Sequence, residues 1–165
     1  MENRSGETIR SGSCYCRAVT FRVTGQPLRV GICHCADCRK TSGSAFSAYA
    51  VWPVSALEQT GQVSTYGNRS FCVTCGSRVT YVSDDEAEVM LGNLDVVPGD
   101  LTPEYELWIS RRENWLHPLP EARQFDHDRD MATVPEPQPT ETEMPSPHRT
   151  LEMEVPRPSE LVRPV

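Results

Sequence analysis

The sequence predicts a mostly β fold of antiparallel sheets. Three observations carry that prediction: short runs of period-two hydrophobic alternation, turn chemistry between those runs, and no window of 12 or more residues with a helical period. Val19, Phe21 and Val23 alternate with Ala18, Thr20 and Arg22, as a half-buried strand requires. Leu28, Val30 and Ile32 repeat the pattern after the turn residues Gly25, Gln26 and Pro27. Further strands are expected over 45–52, 62–66, 78–82, 87–91 and 105–109. Thr60-Gly61, Gly67-Asn68, Asp84-Asp85 and Pro98-Gly99-Asp100 separate them as turns or loops. Only 36–41 and 54–57 read as single helical turns.

Length and composition divide the chain of 165 residues into three parts. Residues 1–11 read as a flexible lead-in, 12–125 as the β domain with its metal sites, and 126–165 as a disordered acidic tail. The tail holds 8 of the 14 prolines, with nine acidic and four basic side chains, and almost no aromatic residues. It cannot bury enough surface to offset its ordering entropy. Hydrophobic residues reach only 38% and aromatics 7%, so the folded part is expected to lean on something besides its core. The net charge is −7, most of it in the tail. That balance argues against a nucleic-acid binder, whose affinity comes from cationic contacts with phosphate. No stretch of 18 apolar residues spans a membrane, and 1–12 lacks the apolar run of a secretory signal. A reducing, cytoplasmic location follows as the expectation, and there cysteines serve metals or catalysis rather than disulfides.

Seven cysteines fall into three clusters: Cys14-x-Cys16, Cys33-x-Cys35-x-x-Cys38 and Cys72-x-x-Cys75. An odd number leaves one thiol over if all were to pair as disulfides. A Cys-x-x-Cys turn brings two thiolates to one metal while backbone N–H groups face the sulfurs, and Gly76 supports a tight knuckle after Cys75. Two pairs, Cys14 and Cys16 with Cys72 and Cys75, make a closed four-thiolate site; Cys33, Cys35 and Cys38 remain as three ligands within six residues. Four protein ligands is the structural arrangement for zinc, and three with an open position is the catalytic one. The alternatives are a second closed site, completed by His34 or an eighth ligand, and a free catalytic cysteine beside six metal-bound partners. Iron–sulfur ligation is disfavoured by the Cys-x-Cys spacing and the lack of a four-cysteine ferredoxin run. His34, lying between two ligands, is expected to point away from a metal that both neighbours hold.

At these residues the chain resembles the glutathione-dependent formaldehyde-activating enzyme (GFA) family, which also includes centromere protein V. The resemblance runs through Gly12–Phe21 with Cys14 and Cys16, and through Cys33-His34-Cys35-Ala36-Asp37-Cys38-Arg39-Lys40-Thr41-Ser42-Gly43-Ser44-Ala45-Phe46. It continues with Phe71-Cys72-Val73-Thr74-Cys75-Gly76-Ser77, Gly92-Asn93-Leu94-Asp95 and Arg111…Trp115, covering about 11–120. It implies packed antiparallel sheets of the Mss4-like group, a structural zinc at the four cysteines and a catalytic zinc at the three. It also implies carbon–sulfur lyase chemistry, joining formaldehyde to glutathione as S-hydroxymethylglutathione or cleaving such an adduct. Where many relatives carry a histidine in the strand before the arginine–tryptophan element, this chain reads Leu107-Trp108-Ile109.

For an anionic thiol such as glutathione, Arg39 and Lys40 supply charge beside the three-cysteine site. Ser42, Gly43 and Ser44 offer hydroxyl and backbone donors to a carboxylate. Arg111 and Trp115 read as packing residues, and Asn93 and Asp95 as a turn. The competing reading is a non-catalytic zinc module for binding or scaffolding, with the acidic tail as its interaction element.

Overall fold

The structure, a computed structural model, describes residues 7–129. Eleven strands among these residues form two sheets. The smaller has the order β1 (Ile9–Ser13), β2 (Thr20–Thr24), β5 (Leu57–Thr60) and is antiparallel throughout. The larger runs β11 (Arg123–Phe125), β10 (Tyr105–Leu107), β3 (Arg29–Cys33), β4 (Ser47–Pro53), β9 (Glu86–Met90), β8 (Arg78–Val82), β7 (Arg69–Cys72), β6 (Val63–Tyr66). Its pairs are antiparallel except for β10, which lies parallel to both β3 and β11.

Hydrophobic alternation marked the strands that bury one face. In β2, Phe21 and Val23 point inward while Thr20 and Arg22 face solvent. The central strand β4 is buried over most of its length, and its run of apolar residues lacks alternation because both faces are covered. The two expected helical turns are present as helix α1 (Ala36–Ser42) and a 3-10 turn at Val54–Ala56.

Four strands carried no such signal. Residues 9–11, expected within a flexible lead-in, are instead part of β1, which pairs with β2 from Ile9 opposite Thr24 to Ser13 opposite Thr20. Its sequence, Ile-Arg-Ser-Gly-Ser, has no apolar period, and only the partner strand makes it a strand. The short polar strands β5, β7 and β11 were missed for the same reason. At the other end, residues beyond 126 still touch the domain. The Trp108 indole donates to Asp128 (2.9 Å), its ring meets His127 edge-on, and the Arg129 guanidinium lies 4.9 Å from the Tyr105 ring centre. The remainder of the expected acidic tail, from 130 onward, lies outside the described residues.

The interior divides into two apolar clusters. One gathers Val19, Phe21, Val23, Val30, Ala50, Trp52, Val79 and Val89 around Cys14 and Cys72. Trp52 is wholly buried there, and its indole N–H is satisfied by the Gly25 carbonyl (3.2 Å). The other packs Tyr49, Val51, Met90, Tyr105 and Leu107 around Cys33 and Cys38. Each cluster therefore contains cysteines from one of the two groups inferred from spacing.

Candidate metal centres

The four-cysteine group forms where two chain reversals meet. Cys14 and Cys16 sit in the turn between β1 and β2, closed by the bond from Arg17 N to Cys14 O (3.0 Å). Cys72 ends β7 and Cys75 follows in the turn to β8, where Gly76 N donates to Cys72 O (2.9 Å). Gly76 sits at φ +73°, a left-handed conformation that side chains resist, so the glycine is what lets this knuckle close. The four sulfurs lie within 4.8 Å of one another, with Cys16 Sγ 3.6 Å from Cys14 Sγ and 3.7 Å from Cys72 Sγ. Backbone N–H groups aim at them: Val19 N at Cys14 Sγ (3.3 Å) and Thr74 N at Cys72 Sγ (3.4 Å).

The three-cysteine group comes from one contiguous loop. Cys33 closes β3, Cys35 caps the helix by accepting from Cys38 N (3.4 Å), and Cys38 lies one turn into α1. Their sulfurs also fall within 4.8 Å of one another. Cys33 and Cys38 are buried, whereas Cys35 is partly exposed.

The donor chemistry of both groups suits a thiophilic cation such as zinc. All seven cysteines are free thiols. Hydrogen bonds from the Cys33 and Cys38 thiols pull Cys35 down to about 2, and the same contacts push Cys33 far above its ordinary value. In the other group, the Ser77 hydroxyl draws Cys75 down to about 5; although the Ala18 N–H favours the Cys16 thiolate, burial and the adjoining sulfurs push that group up to about 12. One sulfur in each group thus ionises easily while a neighbour resists, because packed thiolates repel. A divalent cation removes that conflict by stabilising every thiolate at once.

His34 does not join the three cysteines. It is 2% exposed, and its Nε2 lies 2.9 Å from Glu106 Oε2 on the parallel neighbour strand β10. Glu106, 1% exposed, also accepts from Arg112 Nη1 (3.2 Å), Gln124 Nε2 (3.2 Å) and the Leu119 backbone N–H. Burial raises the Glu106 pKa, but these donors outweigh it and hold the carboxyl below the ordinary carboxylate range. Sequence reasoning missed Glu106 altogether. Glu106 lies between two strongly apolar neighbours, Tyr105 and Leu107, and that was the available signal: a lone acid on a buried strand requires a partner.

Of the residues expected to meet an anionic substrate, Arg39, Lys40 and Ser44 line one cleft of about 510 Å³ together with Ala36 and Arg111. Arg39 is already engaged there, donating to Arg111 O (3.3 Å) and ion-pairing with Glu113. Ser42 and Gly43 do not line this cleft. Ser42 Oγ donates to Cys38 O (2.7 Å), and the residue lines a second cleft of about 450 Å³ with Ser47, Ser77, Arg78 and Asn93. Gly43 is the left-handed cap that ends α1. Asn93 donates to Arg78 O (2.6 Å) and Asp95 N to Ser11 O (3.0 Å), and both bonds are to main-chain oxygens. Arg111 stacks on Trp108 at 4.7 Å, while Trp115 is 66% exposed. Trp108 sits at φ +57°, a strained conformation for so large a residue.

Arg78 is a second residue that spacing did not reveal. It follows the Cys72–Cys75 turn and reaches across to the other site, donating to Thr41 Oγ1 (3.1 Å) and Glu88 (2.8 Å). With a third bond to Ser47 Oγ (3.4 Å), its partners lie on α1, β4 and β9, so one side chain ties the two cysteine regions together.

Comparison with known proteins finds similar chains and a matching family model. A curated protein of Halomonas elongata, provisionally named a glutathione-dependent formaldehyde-activating enzyme, is 28% identical over 147 residues, covering 78% of this chain and 90% of that protein. The crystal structure of a Rhodobacter sphaeroides protein aligns with a TM-score of 0.42 at 24% identity, covering 53% of this chain and 91% of that one. The family model described as glutathione-dependent formaldehyde-activating enzyme matches residues 9–111, which include all seven cysteines. The chain belongs to the glutathione-dependent formaldehyde-activating enzyme family.

Proposed function

We propose that this protein is a zinc-dependent carbon–sulfur lyase acting on adducts of glutathione or a similar thiol, with S-hydroxymethylglutathione as the representative product. One observation carries the reading. Three free sulfurs gather within 4.8 Å on a six-residue loop, and Ala36 and Arg39 of the adjoining helix line a cationic cleft. The family match and the name of the Halomonas elongata relative support it.

In this reading Cys14, Cys16, Cys72 and Cys75 hold a structural zinc, and Cys33, Cys35 and Cys38 hold a second one with a position left for substrate sulfur. When bound there, zinc keeps a thiol ionised at neutral pH, which makes it a competent nucleophile or leaving group. The chain's own residues supply the rest. Lys40 and Arg39 attract the carboxylates of an acidic thiol, and Ser44 adds a hydroxyl donor in the same cleft. Cys33 is held between β4 and β10 and Cys38 within α1, so the loop would meet its metal without first having to be ordered. Ser42 and Gly43 act indirectly, by closing the helix that carries Cys38. Free thiols at every cysteine are in keeping with a reducing compartment, and we place the protein in the cytoplasm on that ground.

The test is direct. Purified protein loaded with zinc is mixed with glutathione and ¹³C-formaldehyde, and adduct formation and breakdown are followed by NMR exchange. Faster exchange than in protein-free solution, lost with a strong chelator and restored by zinc, is the expected result. Metal-replete protein that leaves the exchange rate unchanged, for glutathione and for a panel of other thiols, would sink the proposal.

A further inference from the structure

The buried Glu106 carboxylate has more partners than packing alone requires. Its two oxygens divide the work: Oε2 meets His34 Nε2 and Arg112 Nη1, and Oε1 meets the Leu119 N–H and Gln124 Nε2. These partners belong to different parts of the molecule. His34 is flanked on both sides by cysteines of the three-thiol loop, whereas Arg112, Leu119 and Gln124 belong to the segment after β10, just beyond Arg111 of the cationic cleft. The strand register brings them within reach, because β10 runs parallel to β3 with Glu106 opposite Ile32 and Leu107 opposite Cys33. The main chain reinforces the link where His34 N donates to Leu107 O (3.0 Å).

His34 itself has a single side-chain hydrogen bond. Its Nδ1 is buried without a partner, so the contact with Glu106 alone sets the ring's direction, with Phe46 packed edge-on at 5.8 Å. A ring fixed between Cys33 and Cys35 fixes the backbone from which both sulfurs project.

We propose that Glu106 is a positioning residue for the three-cysteine centre. Through His34 it holds the thiolate loop in metal-binding geometry, and through Arg112, Leu119 and Gln124 it sets the Arg111-bearing segment against the same loop. A buried acid is expensive, and an apolar residue of similar size would serve a purely packing role at lower cost. The full set of donors around Glu106 indicates that orientation is what the carboxylate provides. The inference rests on the reading that Cys33, Cys35 and Cys38 bind a metal.

The experiment is cobalt(II) titration of the full chain against a competing chelator, monitoring thiolate charge-transfer and d–d bands. The wild type is expected to take up two equivalents. In Glu106→Gln the four-cysteine equivalent should bind as before, while the other binds about 10–100-fold more weakly with altered d–d bands. Two further variants test the His34 link even if Glu106→Gln fails to fold. His34→Leu should weaken the second cobalt, and His34→Gln, which keeps a donor toward Glu106, should recover part of the affinity; a packing role alone would rank the apolar leucine first. Wild-type affinity and spectrum at the second equivalent in Glu106→Gln or in His34→Leu overturns the inference. A wild-type chain that takes up only one cobalt overturns the metal reading in the proposed function, and this inference with it.

Discussion

The two cysteine groups of this protein are built in opposite ways. The four-cysteine group joins the β1–β2 turn to the β7–β8 turn, bridging Cys16 and Cys72 across more than fifty residues of chain. The three-cysteine group needs no long-range closure, since Cys33, Cys35 and Cys38 come from one strand end and the helix that follows it. A cation in the first would cross-link separate parts of the fold and stabilise the native state over the unfolded chain. A cation in the second would order little that the backbone has not already ordered, so its binding energy remains available for chemistry. The number of cysteines and the path of the chain both fit the proposed division between a staple and a working site.

The harshest test of that division is Cys72→Ser. Structural zinc contributes on the order of 10 kcal/mol of apparent binding energy, comparable to the whole stability of a small domain. The variant should lose its metal and its NMR dispersion together, and a well-folded Cys72→Ser with a normal thermal melt would break the comparison. Cys38→Ser makes the complementary case. It should remain folded and retain one zinc instead of two, and its activity should fall by more than the roughly 10–100-fold typical of changes outside the ligand set. Metal analysis and the formaldehyde–glutathione assay on one preparation would read both outcomes.

Two glycines sharpen the contrast with gentler changes. A methyl group at Gly31 would collide with the Tyr105 ring beneath the three-cysteine loop, so Gly31→Ala should cost about 1–3 kcal/mol and weaken the second metal first. At Gly76 a methyl group meets nothing within 4 Å, but φ is +73°, so Gly76→Ala should cost about 1–2 kcal/mol as backbone strain in the four-cysteine knuckle. Denaturant melts with metal counting would separate the two. The smallest effect is expected in the cationic cleft. Arg39→Ala and Lys40→Ala should each raise KM for glutathione several-fold with little change in kcat, as partly exposed charge pairs are worth about 1 kcal/mol or less. A neutral thiol should show no such rise, and equal losses for both thiols would argue that these residues serve packing instead.

Much of this was legible in the residues. Alternation located β2 because it buries one face, whereas β3 and β8, also expected, bury adjacent residues on both faces. Cysteine spacing divided seven thiols into four and three because the approach of sulfurs on a short loop is a local property. The cleft residues were only partly readable. Arg39, Lys40 and Ser44 share a wall, but Ser42 turned inward to a helix carbonyl, which a helix C-terminus demands and a list of hydroxyls does not reveal. Strand β1 was invisible, since nothing in Ile-Arg-Ser-Gly-Ser asks to be extended until β2 lies beside it.

By itself, then, the sequence determined the class of fold and the cysteine clusters that could hold a metal, which follow from short-range periodicity and spacing. Only the tertiary structure decided which side chains stand behind those cysteines. Glu106 meets His34 from 72 residues away through a parallel strand pairing, and Arg78 links the two cysteine regions across the sheet. Buried polar partners of this kind are chosen by geometry between distant segments, and no local pattern of residues encodes that geometry.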